Sequence, residues 1–115
     1  MSLVFVIDSM HAGNAYIRGI LPVKGMKRHG VDARFEVASE FKPSSVSKGD
    51  TVVFVKYDRL GQSGEVKKTG AKVVLDVVDS KKHWKQHRNN LDALIVNTDT
   101  QSTIIKSRDC FEREI

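Results

Sequence analysis

The residues best placed to do chemistry lie in a short loop near the N-terminus. His11 and Gly13 follow the apolar run VFVID at residues 4–8, and an amphipathic pattern begins after Asn14. The junction of a strand, a loop and a helix is where many α/β proteins hold a ligand. Glycine lets a ligand approach the backbone, and the first turn of a helix offers N–H donors and a positive dipole end. The loop therefore predicts a site for an anionic or hydroxylated ligand, with a purely structural turn as the alternative.

Two side chains can extend this site, although the loop matches no established phosphate-binding fingerprint. His11 can act as a base or hydrogen-bond a hydroxyl group, because imidazole titrates near neutral pH; an exposed loop histidine is the alternative. Arg18, one turn into the helix, can reach back towards a ligand or lie on a solvated helix face. The dinucleotide motif G-x-G-x-x-G and the Walker motif G-x-x-x-x-G-K-[ST] are both absent from the sequence.

Carboxylates and histidines further along the chain are candidate metal ligands. Asp76 and Asp79 close an apolar run, where they can bind a divalent cation, hydroxyl groups or only water. His83 and His87 lie four apart as in H-E-x-x-H, but Trp84 stands where that motif has its glutamate. No third ligand for such a pair is evident. We therefore predict no metal site.

Composition narrows the class of protein and its partners. The 115 residues, 40% hydrophobic and 29% charged, predict one globular domain over residues 1–115. The net charge of +5 favours anionic partners, and part of it lies in the run KKHWKQHR at 81–88. This run can meet phosphate or a membrane surface, or form a solvated helix face. No motif supports specific binding of nucleic acid.

The cysteine count and the search for targeting signals indicate the cellular compartment that we expect for this protein. The single cysteine, Cys110, excludes an internal disulfide framework and fits a reducing environment. No apolar run approaches the roughly 20 residues of a membrane span, and no secretory signal opens the sequence. We expect a cytoplasmic protein, with peripheral contact to a membrane left open.

Five β-rich runs predict a sheet. Four are almost continuously apolar, as in strands that are buried on both faces; they lie at residues 4–8, 51–57, 72–79 and 92–98. The fifth, at 33–39, alternates apolar and charged residues and is expected nearer an edge.

Segments of helical length separate these runs, at residues 15–29, 58–69, 80–88 and from 98 or 99 to 107. In the first, Asn14 is the expected N-cap, Gly30 the residue that closes the helix, and Pro22 the cause of a kink. The loop at 40–50 is expected to hold one short turn. The alternation predicts a single Rossmann-like, three-layer α/β domain with a mainly parallel five-stranded sheet. We predict the strand order 3-2-1-4-5, which places the end of the first strand at the topological switch point.

Four ordered segments carry a resemblance to a known family. The first is a glycine loop followed by a helix that carries Arg and Pro before a further glycine, matched by Gly13, Arg18, Pro22 and Gly30. The other three are strand motifs: D-x-V-x-F-x-K at 50–56, G-x-K-V-V-x-D-x-x-D at 70–79 and A-D-x-V-I-V-x-T/S at 91–98. In the last, Leu91 and Leu94 replace the usual alanine and valine. The chain thus resembles the N-terminal, acceptor-side domain of GT-B-fold glycosyltransferases of the glycosyltransferase-4-like group.

The resemblance implies a site and a set of partners. Cleft residues would be Gly13 and its neighbours Asn14 and Arg18, with His11, Lys56, Asp76 and Thr98 at the rim. A nucleotide-sugar donor would be a substrate rather than a cofactor, and the acceptor would be a sugar or a lipid. A second Rossmann-like domain would hold most of the donor.

No counterpart of that second domain is evident in these 115 residues, so we expect no catalysis by this chain alone. The chain is then either a fragment or a stand-alone relative, and a strand order other than 3-2-1-4-5 would overturn the relationship. The alternative is a non-enzymatic flavodoxin-like or Rossmann-like module that binds a small anionic ligand or a protein partner.

Overall fold

Five short strands form a single sheet in the computed structural model, which describes residues 1–10, 13–58, 60–77 and 83–96. The strands are β1 (Leu3–Ile7), β2 (Ala33–Val37), β3 (Thr51–Val55), β4 (Lys72–Asp76) and β5 (Ala93–Ile95). All neighbouring strands run parallel, in the order β2-β1-β3-β4-β5. The predicted α/β class and parallel sheet are confirmed.

The predicted strand order 3-2-1-4-5 is wrong, because β3 pairs with β1 and not with β2. The different burial of β2 and β3 explains why the observed order departs from the prediction. Residues 52–55 of β3 are all buried, whereas four of the five residues of β2 are only half-buried. A strand that is apolar on both faces needs neighbours and cover on both sides, and an alternating strand tolerates an edge. The observed order is that of flavodoxin-like sheets, and its switch point lies between β1 and β3.

The first helix is less regular than the sequence predicts. It begins as α1 (Gly13–Ala15), passes through a π turn (Tyr16–Ile20) and continues as α2 (Leu21–Arg28). Asn14 therefore lies within the first turn and is not the N-cap that we expected. The Leu21 N–H donates to the Tyr16 carbonyl, so the hydrogen-bond pattern shifts immediately before Pro22. A proline and a π turn are both recognised causes of helix irregularity, and here they occur together.

The end of this helix agrees with the prediction. Gly30 adopts a φ of 78°. Its N–H donates to the Lys27 carbonyl, and the Val31 N–H donates to the Met26 carbonyl. This pair of bonds is the Schellman motif, in which glycine takes the left-handed position at low cost.

The remaining helical elements are short. They are a 3₁₀ turn in the predicted loop (Pro43–Ser45), α3 (Ser63–Lys68), α4 (His83–Gln86) and a second 3₁₀ turn (Arg88–Asn90). The short helix α3 lies within the predicted segment 58–69 and begins two residues after Gly61, which has a φ of 66°. The predicted helix from 98 or 99 to 107 and the start of the one at 80–88 lie outside the described residues. Within the described ranges no helix is long and apolar enough to cross a bilayer.

Helices cover both faces of the sheet, which confirms the three-layer prediction. On one face, Ile20 and Val23 of the first helix pack with Phe5, Ile7 and Val55. The opposite face carries the second core cluster, whose largest fully buried members include Phe54, Leu75, Leu91 and Leu94. Because β1, β3 and β4 contribute alternate residues to the two clusters, their runs are apolar throughout.

Asp50 ties the N-terminus to the turn before β3. Its carboxylate accepts the Ser2 N–H at 2.8 Å and the Ser47 N–H at 3.0 Å. These two bonds, the Ser2 bond first, hold the pKa of Asp50 below its usual value. The ionised form is therefore favoured by folding.

This arrangement predicts an acid dependence of stability. Because the folded pKa of Asp50 lies below the unfolded value of about 3.9, its contribution is present above that pH and is lost as the pH falls through the folded pKa. Asp50→Asn should therefore flatten the fall in unfolding free energy below about pH 4. Urea titrations of both proteins at a series of acidic pH values test this. Parallel pH profiles would contradict the assignment.

Candidate functional site

Arg18 and Asp76 form an ion pair at the carboxyl edge of the sheet. Asp76 is the last residue of β4, and Arg18 lies in the π turn. Arg18 Nε donates to Asp76 Oδ2 at 2.8 Å, and Arg18 Nη2 donates to Asp76 Oδ1 at 2.6 Å. Asp76 is only 4% exposed. The Asp76 hydrogen bond raises the pKa of Arg18, against a smaller lowering by burial. The result is a two-pronged, charge-assisted pair with a defined geometry.

Gly19 explains how the π turn comes so close to the sheet. A Cβ atom at this position would lie 2.6 Å from Cγ2 of Ile7 and 3.7 Å from Cγ2 of Val55. Only a residue without a side chain fits there. The helix backbone therefore rests directly on β1 and β3, which positions the neighbouring Arg18 for Asp76.

Lys56 follows β3 in an uncommon backbone conformation. Its φ is 67°, and the Tyr57 N–H donates to the Val55 carbonyl at 2.8 Å, which makes a γ-turn centred on Lys56. The Lys56 N–H donates to the Asp76 carbonyl at 2.8 Å, and Lys56 Nζ lies 5.2 Å from the centre of the Tyr57 ring. Non-glycine residues at positive φ are infrequent and concentrate at functional sites.

An open groove of about 460 Å³ adjoins the ion pair. Its lining residues come from β1, the first helix, β4 and β5, and they are Phe5, Ile17, Arg18, Pro22, Asp76, Ile95 and Val96. The walls are apolar apart from the two charged groups. A concave apolar surface with a few convergent polar groups is typical of sites for small molecules.

The structure brings three of the predicted site residues to one edge of the sheet, namely Arg18, Lys56 and Asp76. Asp76 is not the solvated acid that was the alternative, since it is buried and paired. Gly13 is exposed and begins α1, and Asn14 lies in the same short helix. The predictions that rest on His11, Asp79, Thr98 and Cys110 fall outside the described residues.

A second polar cluster was not predicted. Asp58, 2% exposed, accepts the N–H groups of Gln62 at 2.7 Å and Ser63 at 2.9 Å. His87 Nδ1 lies 3.6 Å from Asp58 Oδ2, and Asn90 Nδ2 donates to Ser63 Oγ at 3.4 Å. An acidic residue shortly before a helix was the available signal, because carboxylates satisfy the first N–H groups of helices. Ser63 is fully buried, and the cluster joins α3 to the segment 87–90.

The residues considered as metal ligands do not gather into a cluster in the part of the chain that the structure describes. There, no group of three or more His, Cys, Asp or Glu side chains is arranged to hold a metal ion. His83 begins α4, whereas His87 faces the buried Asp58.

Comparisons with protein-family models, with curated proteins and with solved structures find no match to this chain. The fold and the site define a class: a Rossmann-like α/β domain with a parallel sheet and a polar cluster at its carboxyl edge.

Proposed function

We propose that this domain binds a small ligand carrying hydroxyl groups and negative charge in the groove beside Arg18 and Asp76. The observation that carries the proposal is the partly buried, two-pronged ion pair that lines this groove. A carboxylate accepts hydrogen bonds from hydroxyl groups, and a guanidinium attracts anionic oxygen atoms. Ile17 and Pro22 supply apolar surface for the rest of the ligand.

Lys56 supplies a second cation near the same edge. Its backbone N–H is bonded to the Asp76 carbonyl, so it is held in register with the ion pair. The carboxyl ends of parallel strands beside a switch point are the usual place for ligands in open α/β sheets. Two cations and one carboxylate favour a phosphorylated, hydroxylated molecule such as a sugar phosphate.

Calorimetric titration with a panel of sugar phosphates and nucleoside phosphates tests this proposal. We expect binding by the parent chain and a loss of roughly 10- to 100-fold in Arg18→Gln, as removal of a charge-assisted hydrogen bond predicts. Arg34→Gln is the matched control, because Arg34 also pairs with a carboxylate, at 2.8 Å from Glu36, but on the edge strand. Absence of binding to the whole panel, or equal weakening in both variants, would contradict the proposal.

The second candidate is the acceptor-side half of a nucleotide-sugar-dependent glycosyltransferase. Arg18, Lys56 and Asp76 come from three of the four segments that carry the resemblance, and their meeting at one edge supports this candidate. The strand order 2-1-3-4-5 fails the condition on which this relationship depended, which was the order 3-2-1-4-5, so this candidate ranks well behind the first.

Reading the gene beyond the codon for Ile115 separates the two candidates. An in-frame second Rossmann-like domain would support the transferase, and a stop codon would favour the stand-alone module. In the transferase case the isolated chain should bind nucleotide sugars only weakly, because the other domain holds the donor. Tight nucleotide-sugar binding by this chain would exclude that division of the site.

A further inference from the structure

The outer side of the first helix carries a continuous stripe of exposed side chains. Ile17, Leu21, Lys24 and Arg28 follow one another at intervals of four, three and four residues, which places them on one helix face. Ile17 is 64% exposed and Leu21 45% exposed. Lys24 and Arg28 are exposed as well. We call these four residues the helix stripe: apolar in its first half and basic in its second.

The surroundings of the helix stripe have the same character. Tyr16, beside its apolar half, is 45% exposed, and Lys27, beside its basic half, is exposed. Residues 9–31 contain no Asp or Glu. No ion pair within the described ranges involves Lys24, Lys27 or Arg28. The helix therefore presents three outward cations without a compensating acid of its own.

We propose that the helix stripe lies on the surface of a lipid bilayer that contains anionic lipids. Ile17 and Leu21 would enter the boundary between headgroups and acyl chains, and the basic half would contact lipid phosphates. The apolar face of this helix packs on the sheet through Ile20 and Val23, so a bilayer would meet only the exposed stripe. Exposed large aliphatic side chains beside uncompensated cations favour contact with an anionic bilayer surface. A nucleic acid would satisfy the cations but leave the aliphatic side chains without an apolar environment. Ile17 also lines the groove, but the lipid contact does not require a ligand there.

Sedimentation with lipid vesicles tests the inference on the intact chain. We expect binding to phosphatidylcholine vesicles that contain phosphatidylglycerol, little binding to pure phosphatidylcholine, and weakening by salt. Lys24→Glu/Arg28→Glu should reduce the partition coefficient by at least about 20-fold, because each cation near an anionic membrane strengthens binding roughly fivefold. Leu21→Gln, which keeps every charge, should reduce it several-fold.

The matched control is Lys48→Glu/Lys72→Glu, which changes two exposed lysines elsewhere and shifts net charge equally. It should keep most of the binding. Equal loss in both double variants would show attraction by net charge alone and overturn the inference, as would absence of binding at low salt. Stronger association with polyglutamate than with vesicles would overturn it in favour of an acidic protein partner. Lys24→Gln/Arg28→Gln repeats the test without charge reversal, and circular dichroism checks the fold of each variant.

Discussion

Replacement of Gly19 by alanine is expected to destabilise the domain by about 1–3 kcal/mol, the usual effect of overpacking a core. The new Cβ would lie 2.6 Å from Cγ2 of Ile7, a fully buried residue of β1. That methyl group cannot swing away freely, because it is attached to a branched side chain inside the core. The first helix must then lift from the sheet, which also displaces Arg18 from Asp76.

Gly25→Ala is the matched control for this prediction. Gly25 lies in the same helical element, and a Cβ atom there would meet nothing within 4 Å beyond the backbone of its own helix. Alanine at this position should stabilise the protein by about 0.5–1 kcal/mol, because glycine loses more backbone entropy in a helix. Urea unfolding curves of the two variants should therefore shift in opposite directions. A Gly19→Ala protein as stable as Gly25→Ala would contradict the contact between the π turn and β1.

Arg18→Met is expected to lower the unfolding free energy by about 3 kcal/mol, the low end for breaking a buried ion pair. The variant removes the guanidinium partner of the Asp76 carboxylate, and little water can replace it because the Asp76 side chain is only 6% exposed. The low end applies because the Arg18 side chain is 29% exposed, so water screens part of the attraction. Arg34→Met, which breaks a more exposed pair, should lose no more than about 1 kcal/mol.

A double-mutant cycle isolates the pair itself. Arg18→Met/Asp76→Leu removes both charges and should be more stable than the sum of the single effects predicts, because the buried carboxylate that loses its guanidinium partner is removed as well. Urea denaturation of the four proteins at neutral pH measures the coupling. A coupling energy within about 0.5 kcal/mol of zero would contradict the ion pair.

Local sequence patterns were sufficient to predict the strands and one helix end. Continuous apolar runs identified four of the five strands, because a strand that is buried on both faces is apolar at nearly every position. The alternation in ARFEV indicated the edge position that β2 occupies. Gly30 was identified as a helix end because few other residues adopt positive φ at low cost.

The order of the strands did not follow from those patterns. Our prediction put β3 outside β2, although β3 is the more apolar of the two and needs neighbours on both sides. Local sequence indicates how buried a strand is, whereas the order of the strands depends on which neighbours allow the whole sheet to bury a common core. The π turn before Pro22 was not predicted either, and the close contact that its Gly19 makes with β1 is a tertiary feature that local sequence does not indicate.

The secondary-structure elements, the α/β class and the edge of the sheet where polar residues accumulate could be predicted from sequence, because they follow from hydrophobic period and turn chemistry. Which residues meet at that edge depends on tertiary packing. Arg18 and Asp76 are 58 residues apart in the chain, and no local rule couples them. The positive φ of Lys56 is likewise maintained by contacts with β4, since its N–H reaches the Asp76 carbonyl. Long-range packing overrides local preference at these positions, and they form the candidate site.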